Sequence, residues 1–94
     1  MSGAVAERIR SKLATLQPTR LVIHDDSGRH AGHAGARPGG ESHFRVEIVS
    51  STFAGESRVI RQRRVYALLA DELSAGVHAL QLTTLTPDED HGVG

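Results

Sequence analysis

The residues predict a single α/β (α+β) domain in which a three-stranded mixed sheet carries its helices on one face. Three observations lead there. The periodic segments run helix, strand, strand, helix, strand. The last three form a strand–helix–strand unit, whose right-handed crossover sets its two strands parallel when they share a sheet. Both helices present an apolar stripe that one sheet face can cover.

The first helix is read from Val5, Ile9, Leu13 and Leu16, which recur at helical spacing. Ser2 is its expected cap, Glu7 suits the positive end of its dipole, and Pro18 marks its end. Arg20 to Asp25 is short and rich in branched apolar residues (Leu21, Val22, Ile23), and reads as a strand. Residues 43–50 form a second strand. There Phe44, Val46 and Ile48 alternate with His43, Arg45 and Glu47, the period of two that a half-buried strand requires.

Between these strands, residues 26–42 hold five glycines and Pro38, a density that works against regular structure. A hairpin needs only about two to five loop residues, so a connection this long is functional or disordered. It contains His30 and His33. Residues 51–55 read as a turn closed by Gly55, and residues 56–74 as the longest helix. Ser57 is its expected cap, and Val59, Tyr66, Leu69 and Leu73 its inner stripe, flanked by Val65 and Leu68. Gly76 is the expected C-terminal cap residue. Residues 77–84 form the third strand, with His78, Leu80 and Leu82 on one face, and Pro87 stops it. The expected division is a domain over 1–87 and a flexible acidic tail over 88–94.

Composition narrows the function. The chain has 94 residues, 38% of them hydrophobic, and Phe44, Phe53 and Tyr66 are the only aromatics, so the core must be aliphatic. Eleven basic residues balance eleven acidic ones, which argues against a protein that coats nucleic acid. There is no cysteine, which excludes disulfides, thiolate nucleophiles and every cysteine-based metal site. Any metal held here rests on histidine, carboxylates or a partner's ligands. No apolar run matches a signal peptide or a membrane span, so the expected setting is cytoplasmic, with no membrane contact.

Three segments carry a family resemblance. They are Ser27-Gly28-Arg29-His30-Ala31-Gly32-His33-Ala34-Gly35, then Gly40-Glu41-Ser42-His43-Phe44, then Val77-His78-Ala79-Leu80. Phe53-Ala54-Gly55, Arg61-Gln62-Arg63 and Val65-Tyr66 fall between them in order. With these, the chain resembles the BolA family from its first helix to Pro87. The resemblance implies a class II KH-like fold, in agreement with the element order read independently. Gln62 is a departure, because the family often carries a histidine between the two arginines.

The resemblance also implies a function: a non-enzymatic iron–sulfur adaptor that shares or transfers a [2Fe–2S] cluster with a monothiol glutaredoxin. From spacing alone, His78 reads as a strand histidine satisfied by a backbone group. The resemblance makes it a cluster ligand, with His30 as the second and His33 as its substitute. Two imidazoles can complete one iron of a [2Fe–2S] cluster. The remaining thiolates are then implied to come from the glutaredoxin and from glutathione. His43 and His24 read as ordinary strand residues and His91 as a solvated one.

Arg58, Arg61, Arg63 and Arg64 cluster in the first turns of the long helix. They read as a solvated helix face, as a docking surface for the glutaredoxin or glutathione carboxylates, or as phosphate contacts in nucleic acid. The last reading belongs to an alternative function, a DNA-binding transcriptional regulator. Gly32-His33-Ala34-Gly35 fits the nucleic-acid-binding string of KH domains, but between two strands rather than two helices. An enzyme is disfavoured, since no nucleophile stands beside a base in a recognisable motif. His30 and His33 with Asp25 and Asp26 form a weak zinc pattern. Alone, the protein is expected to be a monomer or weak dimer.

Overall fold

The computed structural model describes residues 4–25, 43–77 and 79–90. Helix α1 (Ala4–Leu13) runs into a 3-10 turn (Ala14–Leu16), and strands β1 (Arg20–Asp25) and β2 (His43–Val49) follow. A second 3-10 turn (Ser51–Phe53) leads to α2 (Arg58–Leu68), α3 (Ala70–Ala75) and β3 (Ala79–Leu85). The sheet has the order β1-β2-β3. β1 lies antiparallel to the central β2 and β3 lies parallel to it, as the crossover argument requires.

Register sorts the side chains onto two faces. Ile23, Val46 and Leu82 form one row, and Leu21, Ile48 and Thr84 the next. These rows meet Ile9, Leu13 and Leu16 from the first helix and its turn, and Phe53, Val65, Leu69 and Val77 from the second half of the chain. The opposite face carries Val22, Glu47 and Thr83 in one row and His24, Arg45 and Gln81 in another. The alternation of β2 therefore produces one packed and one open face.

The turn after α1 ends in Gln17, whose left-handed backbone (φ 51) directs its N–H to the Ala14 carbonyl at 2.9 Å. Gly55 (φ 81) closes the turn before α2, a conformation in which glycine carries no Cβ penalty. Ser57 caps α2 as expected, accepting from the Ile60 N–H at 3.3 Å. Buried Ser50 was not singled out by sequence. Its hydroxyl donates to the Leu16 carbonyl at 2.6 Å and accepts from the Thr52 N–H at 3.1 Å, tying the first helical segment to the end of β2.

The long helix differs from expectation in two ways. It is two helices, broken at Leu69, whose backbone (φ −101, ψ 14) leaves the helical region. The Leu69 N–H is shared between the Val65 and Tyr66 carbonyls, the tightening common at helix ends. Its inner line is also different: Val59 and Tyr66 are exposed, and Arg61, Val65, Leu69 and Glu72 are the buried residues. The apolar residues of this segment were too numerous to fix its phase, because Val59 and Ile60 precede the buried arginine and compete for the stripe. Gly76 ends α3 with its N–H on the Glu72 carbonyl at 3.2 Å, in extended rather than left-handed backbone (φ 165).

Thr84 Oγ1 is buried and has no hydrogen-bond partner among the described residues. An orphaned buried hydroxyl is destabilising relative to a methyl group of the same shape. Thr84→Val is therefore expected to hold or raise the unfolding free energy, by up to about 1 kcal/mol. Urea denaturation measures this, and a lower midpoint would mean that the hydroxyl is satisfied.

Candidate functional site

The two ends of the sheet have different chemistry. At one end His43 faces Ala79 across the parallel pair, and Asp25 faces Phe44 across the antiparallel one. Residues 26–42 leave from Asp25 and return at His43, so both attachment points of the glycine-rich segment lie at this end. The residue that follows position 78 lies there too. His30, His33 and His78, together with Asp26, His91 and the Gly32-His33-Ala34-Gly35 string, lie outside the described residues. His43 is half-buried on the open face and His24 is exposed. No group of three or more histidine, aspartate or glutamate side chains is placed to hold a metal among the described residues.

The other end is built on Arg61. Helical spacing aligns it with Val65 and Leu69, so its stem enters the packed face and the residue is only 8% exposed. Its guanidinium donates to the Glu56 carbonyl at 3.0 Å, the Thr84 carbonyl at 3.3 Å and Glu89 Oε1 at 2.6 Å. Arg64 donates to Glu56 Oε1 at 2.7 Å and to the Thr52 carbonyl at 3.1 Å. Both guanidinium groups stand 5.8 Å from the centroid of the Phe53 ring. The arginine cluster expected to bind a partner or nucleic acid thus divides. Arg61 is consumed by the fold and Arg64 by a surface ion pair, while Arg58 and Arg63 remain exposed and have no ion pair among the described residues.

The hydrogen bond from Arg61, joined by the Thr86 N–H, holds the Glu89 carboxyl down to about 2. Asp90 makes a two-point pair with Arg20 at 3.0 and 3.1 Å, and Arg20 also donates to Glu47 at 2.9 Å. The part of the expected tail that the structure describes, residues 88–90, is therefore held to the domain rather than free of it.

The sign of the Glu89 contribution follows from linkage. A carboxyl depressed on folding stabilises fully above its unfolded value, and that contribution is lost as pH falls through the folded value. Unfolding midpoints should fall between about pH 4.3 and 2. Glu89→Gln should flatten that limb, as acid titration of the two proteins by circular dichroism will show.

A second buried charge joins the two helical halves. Glu72 receives Lys12 Nζ at 2.8 Å and lies 3.4 Å from Arg8 Nε. Burial works to raise the Glu72 carboxyl, but the hydrogen bond from Lys12, a backbone N–H and the neighbouring positive charge outweigh it and leave the group lowered. No helix among the described residues is long and apolar enough to cross a membrane.

Comparison with known proteins covers nearly the whole chain. Residues 13–89 match the family described as BolA-like protein. Protein BOLA1, chloroplastic, of Arabidopsis thaliana is 50% identical over 94 residues, covering 94% of this chain and 59% of that protein. The DNA-binding transcriptional regulator BolA of Escherichia coli is 47% identical over 90 residues, covering 95% of this chain and 82% of that protein. Among solved structures, the BolA domain of SufE1 from Arabidopsis thaliana superposes with a TM-score of 0.81 at 46% identity, covering 95% of this chain and 99% of that one. The family does not carry a compartment with it, since BOLA1 is named as chloroplastic. Matched over more than three quarters of its length, with the expected α+β architecture, this chain belongs to the BolA-like protein family.

Proposed function

We propose that this chain is a non-enzymatic adaptor that binds a monothiol glutaredoxin and shares or transfers a [2Fe–2S] cluster with it. His78 and His30 are its iron ligands, and His33 is the substitute for His30. One observation carries the reading: the β2–β3 register sets His43 beside Ala79. The glycine-rich segment therefore ends next to the strand entrance that follows position 78. Two imidazoles from these segments can meet one iron, and the thiolates must come from outside because the chain has no cysteine.

The test mixes the protein with a [2Fe–2S]-loaded monothiol glutaredoxin and glutathione, and reads the visible circular dichroism of the cluster. The wild type should change that spectrum. The His30→Ala/His78→Ala double variant should not, while keeping its far-ultraviolet spectrum and melting temperature. An unchanged cluster spectrum with the wild type overturns the proposal. Because neutral imidazole binds metal, the change should weaken as pH falls toward about 6.5.

The second reading, a DNA-binding regulator, draws on the name of the Escherichia coli relative and on exposed Arg58 and Arg63. It predicts salt-sensitive DNA binding that weakens on Arg58→Gln/Arg63→Gln, measured by fluorescence anisotropy against ionic strength.

A further inference from the structure

Apolar exposure in this fold is concentrated on one element. The large hydrophobic residues exposed among the described residues are Val59 at 55%, Ile60 at 46% and Tyr66 at 39%, all on α2. Spacings of four and three place Val59, Arg63 and Tyr66 in one line along the helix, with Ile60 and Ala67 beside it. This line lies opposite Arg61, Val65 and Leu69, which turn into the core. A scattered exposed valine needs no explanation, but a helical stripe of three large apolar residues around an arginine does.

The geometry points to this outer face of α2 as a docking surface for an acidic amphipathic helix of a partner protein. Charge selects the occupant. The acids nearest the start of α2 are already taken: Glu56 by Arg64 at 2.7 Å and Glu89 by Arg61 at 2.6 Å. Arg63 is left in the middle of the apolar line with no ion pair among the described residues, whereas Arg58, seven residues before Val65, lies on the side of the helix that faces Thr84 and Glu89. The chain as a whole is neutral, so the unpaired charge of Arg63 is a local positive site within an apolar line, not a sign of a basic protein. Tyrosine and arginine are also the residue types that carry binding energy at protein interfaces.

Other occupants fit less well. In a two-fold pairing that matches Val59 of one copy with Tyr66 of the other, the two Arg63 residues fall within one position of each other near the axis, where like charges repel. Nucleic acid would satisfy the Arg63 guanidinium, but it would leave Val59 and Ile60 against a phosphate backbone.

The surface is also rigid before binding. The first turns of α2 are held by the Ser57 cap and by the contacts of Arg61 and Arg64, so little ordering cost falls on association. Arg61 reaches Thr84, near the end of β3, whereas the proposed cluster end is at its beginning. The start of this docking face therefore lies at the far end of the sheet from the cluster, and its test does not depend on the cluster reading.

The experiment uses the full chain, labelled with nitrogen-15, and four probes. These are a synthetic helical peptide with leucines on one face and glutamates on the other, its lysine counterpart, a scrambled acidic peptide of the same composition, and a short DNA duplex. The expected result is that the acidic amphipathic peptide shifts the amides of Val59, Ile60, Arg63, Tyr66 and Ala67, and that the other probes bind at least tenfold more weakly. Val59→Ser/Tyr66→Ser should lose at least tenfold in affinity with an unchanged melting temperature. Arg63→Glu should transfer the preference to the lysine peptide. Equal binding of the scrambled peptide, tighter binding of DNA to the same residues, or dilution-dependent shifts there that reveal a dimer each overturn the proposal, as does no binding of the acidic peptide.

Discussion

Phe53→Ala is expected to lower the unfolding free energy by about 3–5 kcal/mol. Phe53 heads the fully buried side chains by size, with 0% exposure, and sits in the common core with Val46, Ile48 and Val65. Its removal leaves a void in a core that has one other phenylalanine and no tryptophan. It also takes the ring from beneath Arg61 and Arg64, each 5.8 Å from its centroid. A domain of this size has roughly 5–15 kcal/mol in total, so the variant should lie near the edge of folding. Its melting temperature should drop by more than about 12 °C. Phe53→Leu keeps most of the apolar volume and should lose less than half as much. Equal losses in the two variants would show that the ring faces, not the cavity, dominate.

The second large effect belongs to Arg61. Arg61→Met preserves a long apolar stem but removes every donor, and is expected to lower the unfolding free energy by about 3 kcal/mol. The loss has two sources. The Glu56 and Thr84 carbonyls lose donors that reach them at 3.0 and 3.3 Å, and a buried carbonyl without a partner is costly. Glu89 loses the group that holds its carboxyl low. Arg61→Lys should rescue only part, because an ammonium cannot reproduce the planar fork that reaches Glu56, Thr84 and Glu89 together. A double-mutant cycle between Arg61 and Phe53, read from urea midpoints, should give a coupling of about 0.5–2 kcal/mol, whereas strict additivity would mean that the stacking contributes nothing.

The central strand was legible because its pattern has only one phase. In β2, Phe44, Val46 and Ile48 alternate with polar neighbours, so a shift by one residue would expose all three. The parallel pairing of β2 with β3 followed from the helical connection between them, given that the two strands share a sheet. α2 was harder because hydrophobicity does not distinguish a residue that faces the core from one that faces a partner. Val59 and Tyr66 looked like core, and Arg61 looked like surface. The clue lay in spacing: Arg61 stands four residues before Val65 and eight before Leu69, on the line those residues bury.

Long-range polar contacts were not legible at all. The pairings of Arg61 with Glu89, Arg20 with Asp90 and Lys12 with Glu72 join residues far apart in sequence, and no local pattern links them. At the proposed cluster end, sequence went further through family resemblance than through physics. Histidine spacing alone left His78 as an ordinary strand residue. What the fold adds is the register that brings His43 to Ala79.

The parallel placement of β3 has a consequence for how the chain is made. The central strand cannot gain its second neighbour until residues 79–85 are available, and the segments of two helices precede them in the chain. Parallel pairings of this kind must close a long connection before they gain any contact, which slows folding. On the ribosome, a nascent chain that has reached α3 still presents one side of β2 as a bare edge, beside Phe44, Val46 and Ile48. That interval is when the newborn polypeptide is most prone to self-association.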